Sequence, residues 1–189
     1  MIFEYDDIIE DIFKRRNNLD VISKKSKKFK EFKKNKLNDK FSFVNKYTKG
    51  SFKEGYVKNI CQDKRNKILS YCLDSVLNYE NVPTIIISRK VFKTKDKVRY
   101  VLLLIVTQTD YRSLGYGNAA INDYFNYILD TKRKVEIILH SLVESKNFYL
   151  KLGFEKISKS LFLERLEGFN NDKDDNNKDK EIILLKYTL

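Results

Sequence analysis

Residues 98–117, VRYVLLLIVTQTDYRSLGYG, run from a nearly unbroken apolar stretch into a glycine-bearing turn, and that junction decides how the rest of the chain is read. Tyr100, Val101, Leu102, Leu103, Leu104, Ile105 and Val106 show no alternation, which is the pattern of a strand buried on both faces. Such a strand belongs at the centre of a sheet. After the turn, Ala119, Ala120, Ile121, Tyr124, Phe125, Ile128 and Leu129 recur at helical spacing. A turn between a buried strand and a helix has a chemical use, because the first amides of the helix are unpaired and its dipole adds partial positive charge. It can hold a pyrophosphate, and Gly115 and Gly117 let a ligand approach the backbone. The phosphate could belong to a nucleotide or to coenzyme A. A Rossmann fingerprint would need a third glycine where Ala120 stands and an acid ending the next strand, and a Walker loop would need Gly-Lys-Ser/Thr; neither is present.

Working outward, the β-branched residues of 84–92 predict a strand, and Thr94, Lys95, Asp96 and Lys97 a hairpin turn joining it to the central one. Residues 135–140 predict another strand, separated from the central one by the helix, so the three form a βαβ-like crossover. A short helix over 143–152 carries Phe148 and Tyr149 and stops at Gly153 as a left-handed cap. Strands over 157–166 and 181–189 close the chain, with a low-complexity loop of Asn, Asp, Lys and Gly at 168–180 between them.

On the amino-terminal side, Ile2, Phe3 and Tyr5 predict a short strand, Asp6 or Asp7 a cap, and Ile8, Ile9, Ile12 and Phe13 the apolar stripe of a helix. Between Ser23 and Lys36 Phe29 and Phe32 are the only apolar residues in an otherwise lysine-rich stretch, as on a surface helix or a partly disordered segment. Phe41, Phe43 and Tyr47 predict a strand before Gly50 and Gly55. The spacing of Ile68, Leu69, Cys72, Leu73, Val76, Leu77 and Tyr79 predicts a helix over 63–79.

At 189 residues, 42% apolar, the chain is expected to form a single domain over 1–189. Its net charge of +12 is regional: residues 14–67 hold 19 basic and 5 acidic side chains, against 19 and 21 elsewhere. That lysine-rich segment favours a polyanionic partner such as a ribosome or nucleic acid, or is a solvated surface. Cys61 and Cys72 support neither a disulfide framework nor a metal site, so no metal is expected. The acidic start excludes a signal peptide, and no apolar run reaches the roughly 20 residues that span a bilayer. A cytoplasmic or nuclear protein that does not enter membranes is expected.

Two motifs carry a family resemblance. Arg112, Gly115 and Gly117, with Tyr111 before them, resemble the Arg/Gln-x-x-Gly-x-Gly/Ala signature of the GNAT superfamily of acetyl-CoA-dependent N-acetyltransferases. Phe148-Tyr149-Leu150-Lys151-Leu152-Gly153-Phe154 resembles that superfamily's second motif, and the order and spacing of the two also agree. The resemblance covers residues 83–189. It departs at Thr109, where a proline is usual, and at Leu142 and Ser145, where Asn-x-x-Ala is usual. It implies an α+β (α/β, three-layer) fold in which helices flank a mixed, mostly antiparallel central sheet, splayed where acetyl-CoA binds.

The resemblance further implies that Ile105, Val106 and Thr107 bind pantetheine and the thioester carbonyl through their backbone. Arg112, Ser113, Leu114, Gly115, Tyr116, Gly117 and Asn118 would bind the pyrophosphate. Tyr149 would stand near the coenzyme sulfur as general acid, although a tyrosine there can equally be an amphipathic core residue. Aminolysis of a thioester needs a base for the amine proton, and His140, the only histidine, suits that role. Similarity to some protein N-terminal acetyltransferases at Tyr100-Val101 and Leu139-His140 would have Tyr100 and His140 act together; a structural or solvent-exposed His140 is the plainer alternative. Glu136 is a fallback base, and Asp110 is expected to point to solvent. The acceptor implied is a primary amine, of a protein or peptide (amino-terminal or lysine). A small-molecule amine, or a catalytically inactive nucleic-acid- or ribosome-binding module of the same fold, are the alternatives.

Overall fold

Along the chain the computed structural model places β1 (Ile2–Glu4), α1 (Tyr5–Asn17), α2 (Lys27–Asn38), α3 (Lys40–Thr48), α4 (Glu54–Gln62), β2 (Asn66–Tyr71) and β3 (Thr84–Lys93). These are followed by β4 (Lys97–Thr107), α5 (Tyr116–Ile128), β5 (Lys134–Leu142), α6 (Lys146–Lys151), β6 (Glu155–Lys156) and β7 (Ile182–Thr188). Short 3-10 turns occupy Thr109–Tyr111 and Val143–Ser145. The structure describes residues 1–17, 27–48, 52–72, 82–129, 132–158 and 182–189. The strands hydrogen-bond in the order β1-β2-β3-β4-β5-β7-β6. β4 and β5 are parallel, as the α5 crossover requires, while β1–β2, β5–β7 and β6–β7 are antiparallel. The sheet is thus mixed and mostly antiparallel, as expected.

Two compact units are distinguishable: Met1–Ile87 with Leu104–Tyr124, and Ser88–Leu103 with Phe125–Leu189. In the first, α1 buries Tyr5, Ile8, Ile9 and Phe13, a stripe at helical spacing. Its acidic first turn suits the positive end of the helix, and Asp7 accepts a hydrogen bond from the Glu4 amide at 3.0 Å. α2 docks by its only aromatic residues, with Phe29 and Phe32 at ring-centroid distances of 5.1 and 5.2 Å from Phe13.

The predicted strand at Phe41–Tyr47 is instead helix α3, which buries Val44, Tyr47 and Thr48, a set three and four residues apart. Phe43 meets Tyr5 at 5.1 Å, so the 41/43 alternation was a coincidence within a helical period. The predicted helix over 63–79 is contradicted at its start. Residues 66–71 form β2, buried at five of six positions, and a strand covered on both faces has no alternation to betray it. The remainder of that prediction, 73–79, lies outside the described residues.

In the second unit β7 lies between β5 and β6, and Val135 and Leu189 exchange both backbone hydrogen bonds, at 2.9 and 3.2 Å. Phe125, Phe154 and Tyr187 pack as an aromatic cluster, with Phe125 and Tyr187 stacked at 4.6 Å. The hairpin turn is closed by the Thr94 amide on the Lys97 carbonyl at 2.7 Å, as expected. Of the strand predicted over 157–166, residues 157 and 158 are not strand, the two-residue β6 ending just before them; the rest, and the loop at 168–180, lie outside the described residues. Among the described residues no helix is long and apolar enough to cross a membrane.

Candidate functional site

The cofactor-binding candidates, 105–118, all fall in the first unit, and the catalytic candidates, Tyr100, His140 and Tyr149, in the second. The carboxyl end of β4 is held in part by Thr84 and Gln108, which the sequence reading did not single out. Thr107 and Thr84 share a hydroxyl–hydroxyl bond at 2.9 Å, the Gln108 amide donates to Pro83 O at 2.9 Å, and Gln108 Nε2 donates to Val82 O at 2.6 Å. Polar residues ending an apolar strand are the signal that was available. Val106 is buried, while Ile105 and Thr107 are half-buried.

The turn itself is bent by two left-handed residues, Ser113 at φ 62° and Gly115 at φ 85°. Left-handed backbone at a serine costs energy, of order 1–2 kcal/mol, and needs a reason. Here it bends the chain into the start of α5, where unpaired helix amides and the dipole can hold an anion. Arg112 Nε donates to the Thr107 carbonyl at 3.2 Å, tying the turn back to the strand, and Tyr111 and Tyr116 meet edge to face at 5.3 Å across it. The first α5 bond in this turn runs from the Ala119 amide to Gly115 O at 3.0 Å. Helix geometry therefore leaves the amides of Tyr116, Gly117 and Asn118 without an intrahelical partner. A β-carbon built on Gly115 meets nothing within 4 Å, and Ser113, Leu114 and Asn118 are exposed. Asp110 is exposed too, as expected. This turn fits a pyrophosphate.

In the second unit the strand register sorts the catalytic candidates. β4 pairs with β5 from Lys97↔Lys134 to Leu102↔Leu139, so Tyr100 lies level with Ile137. His140 is three residues further along β5, and the unbroken β5–β7 register over 136–142 leaves no bulge to change the alternation. Tyr100 and His140 therefore project from opposite faces, and the expectation that they act together does not fit this geometry. Tyr100 instead carries the Lys90 ammonium 5.5 Å over its ring.

His140 shares its face with Arg99, Val101, Glu136 and Ile138; Val101 and Ile138 pack with Val91, Leu103 and Ile157. His140 keeps contact with solvent, yet enough protein surrounds it that desolvation lowers its pKa from 6.5 to about 4; water contact moderates that displacement, and the direction is downward. Its imidazole is neutral at physiological pH. Glu136 is no free base: it is 2% exposed, 3.3 Å from Lys97 Nζ and hydrogen-bonded to Arg99 Nε. Two cations hold that buried carboxylate in its charged form.

Tyr149, 7% exposed, packs its ring against Phe148 at 5.1 Å and Phe154 at 5.5 Å. Phe154 in turn contacts Tyr187, which is level with Ile137 and so on the Tyr100 face. Gly153 at φ 89° ends the helical turn, and a β-carbon there would lie 3.0 Å from the Tyr187 ring. Among the described residues no group of three His, Cys, Asp or Glu side chains is placed to hold a metal.

No family model and no curated protein sequence matches the chain. Solved structures do. Arabidopsis thaliana NAA60 in complex with a bisubstrate analogue is 12% identical, covering 80% of this chain and 94% of its own, with a TM-score of 0.56. The same protein has also been solved in complex with acetyl-CoA. Tetrahymena GCN5 is 14% identical over 82% of this chain and 88% of its own, at 0.55. A GNAT-family protein from Desulfovibrio desulfuricans is 11% identical over 81% and 92%, at 0.53. The chain has the fold of the GNAT acetyltransferases.

Proposed function

We propose that this chain transfers the acetyl group of acetyl-CoA to a primary amine of a protein or peptide, amino-terminal or lysine. The observation that carries the reading is the turn at 112–118. A left-handed serine and a left-handed glycine bend the exposed turn ahead of α5, whose first amides have no intrahelical partner, in a fold shared with NAA60 and GCN5. The NAA60 complexes, with acetyl-CoA and with a bisubstrate analogue, support the coenzyme and the two-substrate encounter.

On this reading the amides of 113–118 and the Arg112 guanidinium neutralise the pyrophosphate, and the backbone of Ile105, Val106 and Thr107 orients the pantetheine arm and acetyl carbonyl. The thioester supplies an activated acetyl group with a thiolate leaving group. His140 accepts the amine proton as the N–C bond forms, and Tyr149 donates one to sulfur as the C–S bond breaks. A depressed imidazole pKa suits a late transfer, because an amine that has already attacked is far more acidic than a free ammonium. The amine attacks the thioester carbonyl directly with both substrates bound, and the tetrahedral intermediate collapses with loss of the coenzyme thiolate.

The test is acetyl-CoA binding by native mass spectrometry, then turnover on amino-terminal peptides, internal lysine peptides and polyamines. A one-to-one coenzyme complex and an acetylated peptide are expected. His140→Ala should lower kcat at least tenfold and Tyr149→Phe by a similar factor, each with the coenzyme still bound. Absence of coenzyme binding refutes the reading; acetylation of polyamines alone corrects the acceptor; an unchanged kcat in His140→Ala removes that residue from the mechanism.

A further inference from the structure

The transfer chemistry leaves the most charged part of the molecule without a task. Residues 23–36 hold eight lysines and one acid, Glu31, and 27–36 of them lie on α2. The helix has already used its apolar side: Phe29 is buried, Phe32 half-buried, both on Phe13. What it turns outward includes Lys27, Lys28, Lys30, Glu31 and Asn35, all exposed and none apolar.

Little within the protein neutralises these lysines. Lys27 stands 4.0 Å from Glu31 with both side chains largely in water, a pairing worth almost nothing. Lys28 Nζ donates to the neutral Asn17 side chain at 2.8 Å, which fixes its position and leaves its charge. Among the described side chains of α2 only Lys33 is turned inward to an acid, 3.0 Å from Asp6. Three ammonium groups therefore sit within one turn of an exposed helix.

The chemistry of the surface selects among polyanions. An anionic membrane engages amphipathic helices through apolar side chains that insert between headgroups, and Phe29 and Phe32 are packed on Phe13 instead. An acidic protein partner draws its affinity from a desolvated apolar centre, and the exposed α2 side chains offer none. Lysines act as point charges, without the planar fork that reads a base or clamps one phosphate. A regular array of phosphates needs nothing more than point charges, because binding is driven by counterion release.

We infer that the exposed lysine face of α2 binds the phosphate backbone of a polynucleotide without reading its bases, a surface independent of acetyl transfer. The probes are a labelled 20-residue oligouridylate, an oligothymidylate of the same length and a polyglutamate peptide, titrated with the full-length chain by fluorescence anisotropy between 50 and 200 mM salt. Three neutralised phosphates give a slope of log K against log salt of about −2 on a single strand, steeper if neighbouring lysines join. The triple variant Lys27→Gln, Lys28→Gln, Lys30→Gln should make the slope shallower by about 2 and weaken binding at 100 mM at least tenfold. The arginine triple variant at the same positions should bind like the native chain. Equal binding of both oligonucleotides assigns the site to phosphate alone, and preference for one identifies its source. Polyglutamate bound as tightly, a slope near zero, or a glutamine variant with native affinity each overturns the proposal. Should the glutamine variant fail to fold, the slope of the native chain and the arginine variant still decide it.

Discussion

Two glycines have nearly the same backbone conformation, Gly115 at φ 85° and Gly153 at φ 89°, and opposite surroundings. Nothing lies within 4 Å of a β-carbon on Gly115, whereas one on Gly153 would press on the Tyr187 ring at 3.0 Å. One left-handed turn is left open at the surface; the other is filled by the protein's own aromatic cluster. The same residue choice therefore serves approach in one region and packing in the other. Glycine in a motif does not by itself announce a ligand.

Substitution separates the two. Gly153→Ala meets both the left-handed penalty and the Tyr187 ring, and should cost about 2–4 kcal/mol in urea unfolding, lowering Tm by about 5–15 °C. Gly115→Ala meets only the backbone penalty, about 1–2 kcal/mol, but should weaken acetyl-CoA binding about tenfold by calorimetry, an effect Gly153→Ala should not share beyond its unfolding. Equal stability losses would erase the distinction. A finer version adds Tyr187→Leu: with the ring gone, alanine at 153 should recover about 1 kcal/mol of its cost, and strictly additive losses would mean the contact is not the cause.

The smallest effect concerns His140, in the same unit as Gly153. The unfolded chain takes up the proton near the ordinary pKa of 6.5 and the folded chain, whose imidazole keeps contact with water, at a somewhat lower pH, so between those values protonation favours unfolding. Stability should fall as pH drops from about 6.5 toward 4, and His140→Gln should flatten that part of the profile. A profile unchanged by the substitution would place the imidazole in water with an ordinary pKa.

The carboxyl-terminal elements were legible because each had a sharp signal: an apolar run for β4, a four-turn periodicity for α5, a glycine stop for α6. The amino-terminal ones were not. Over seven residues the pair Phe41 and Phe43 suggested a strand, while the pattern that mattered, Val44, Tyr47 and Thr48, only becomes visible once α3 is known. β2 is buried at Ile68, Leu69, Ser70 and Tyr71 in succession, and its run merged with the apolar residues that follow into a helical template. α4 went unread although Val57, Ile60 and Cys61 have helical spacing, because the cysteine was weighed as chemistry rather than as a small buried hydrophobe. At the site, the motif residues could be named from sequence, but which face each strand residue occupies could not. A shift of one position in register reverses every side chain, and that is where the pairing of Tyr100 with His140 failed.

The strand order has a kinetic consequence. Among the described residues β7 follows β6 in sequence yet sits between β5 and β6, and β6 pairs with no other described strand. Until β7 arrives β5 presents a bare edge next to β4, and bare apolar edges recruit other chains. The contacts between β5 and β7 join residues far apart in sequence, from Leu142↔Ile182 to Glu136↔Thr188, and such long-range pairing slows folding and lengthens the interval in which partly folded molecules can associate. Residues 182–188 act as the latch of that assembly, and truncating them should convert a folding protein into an aggregating one.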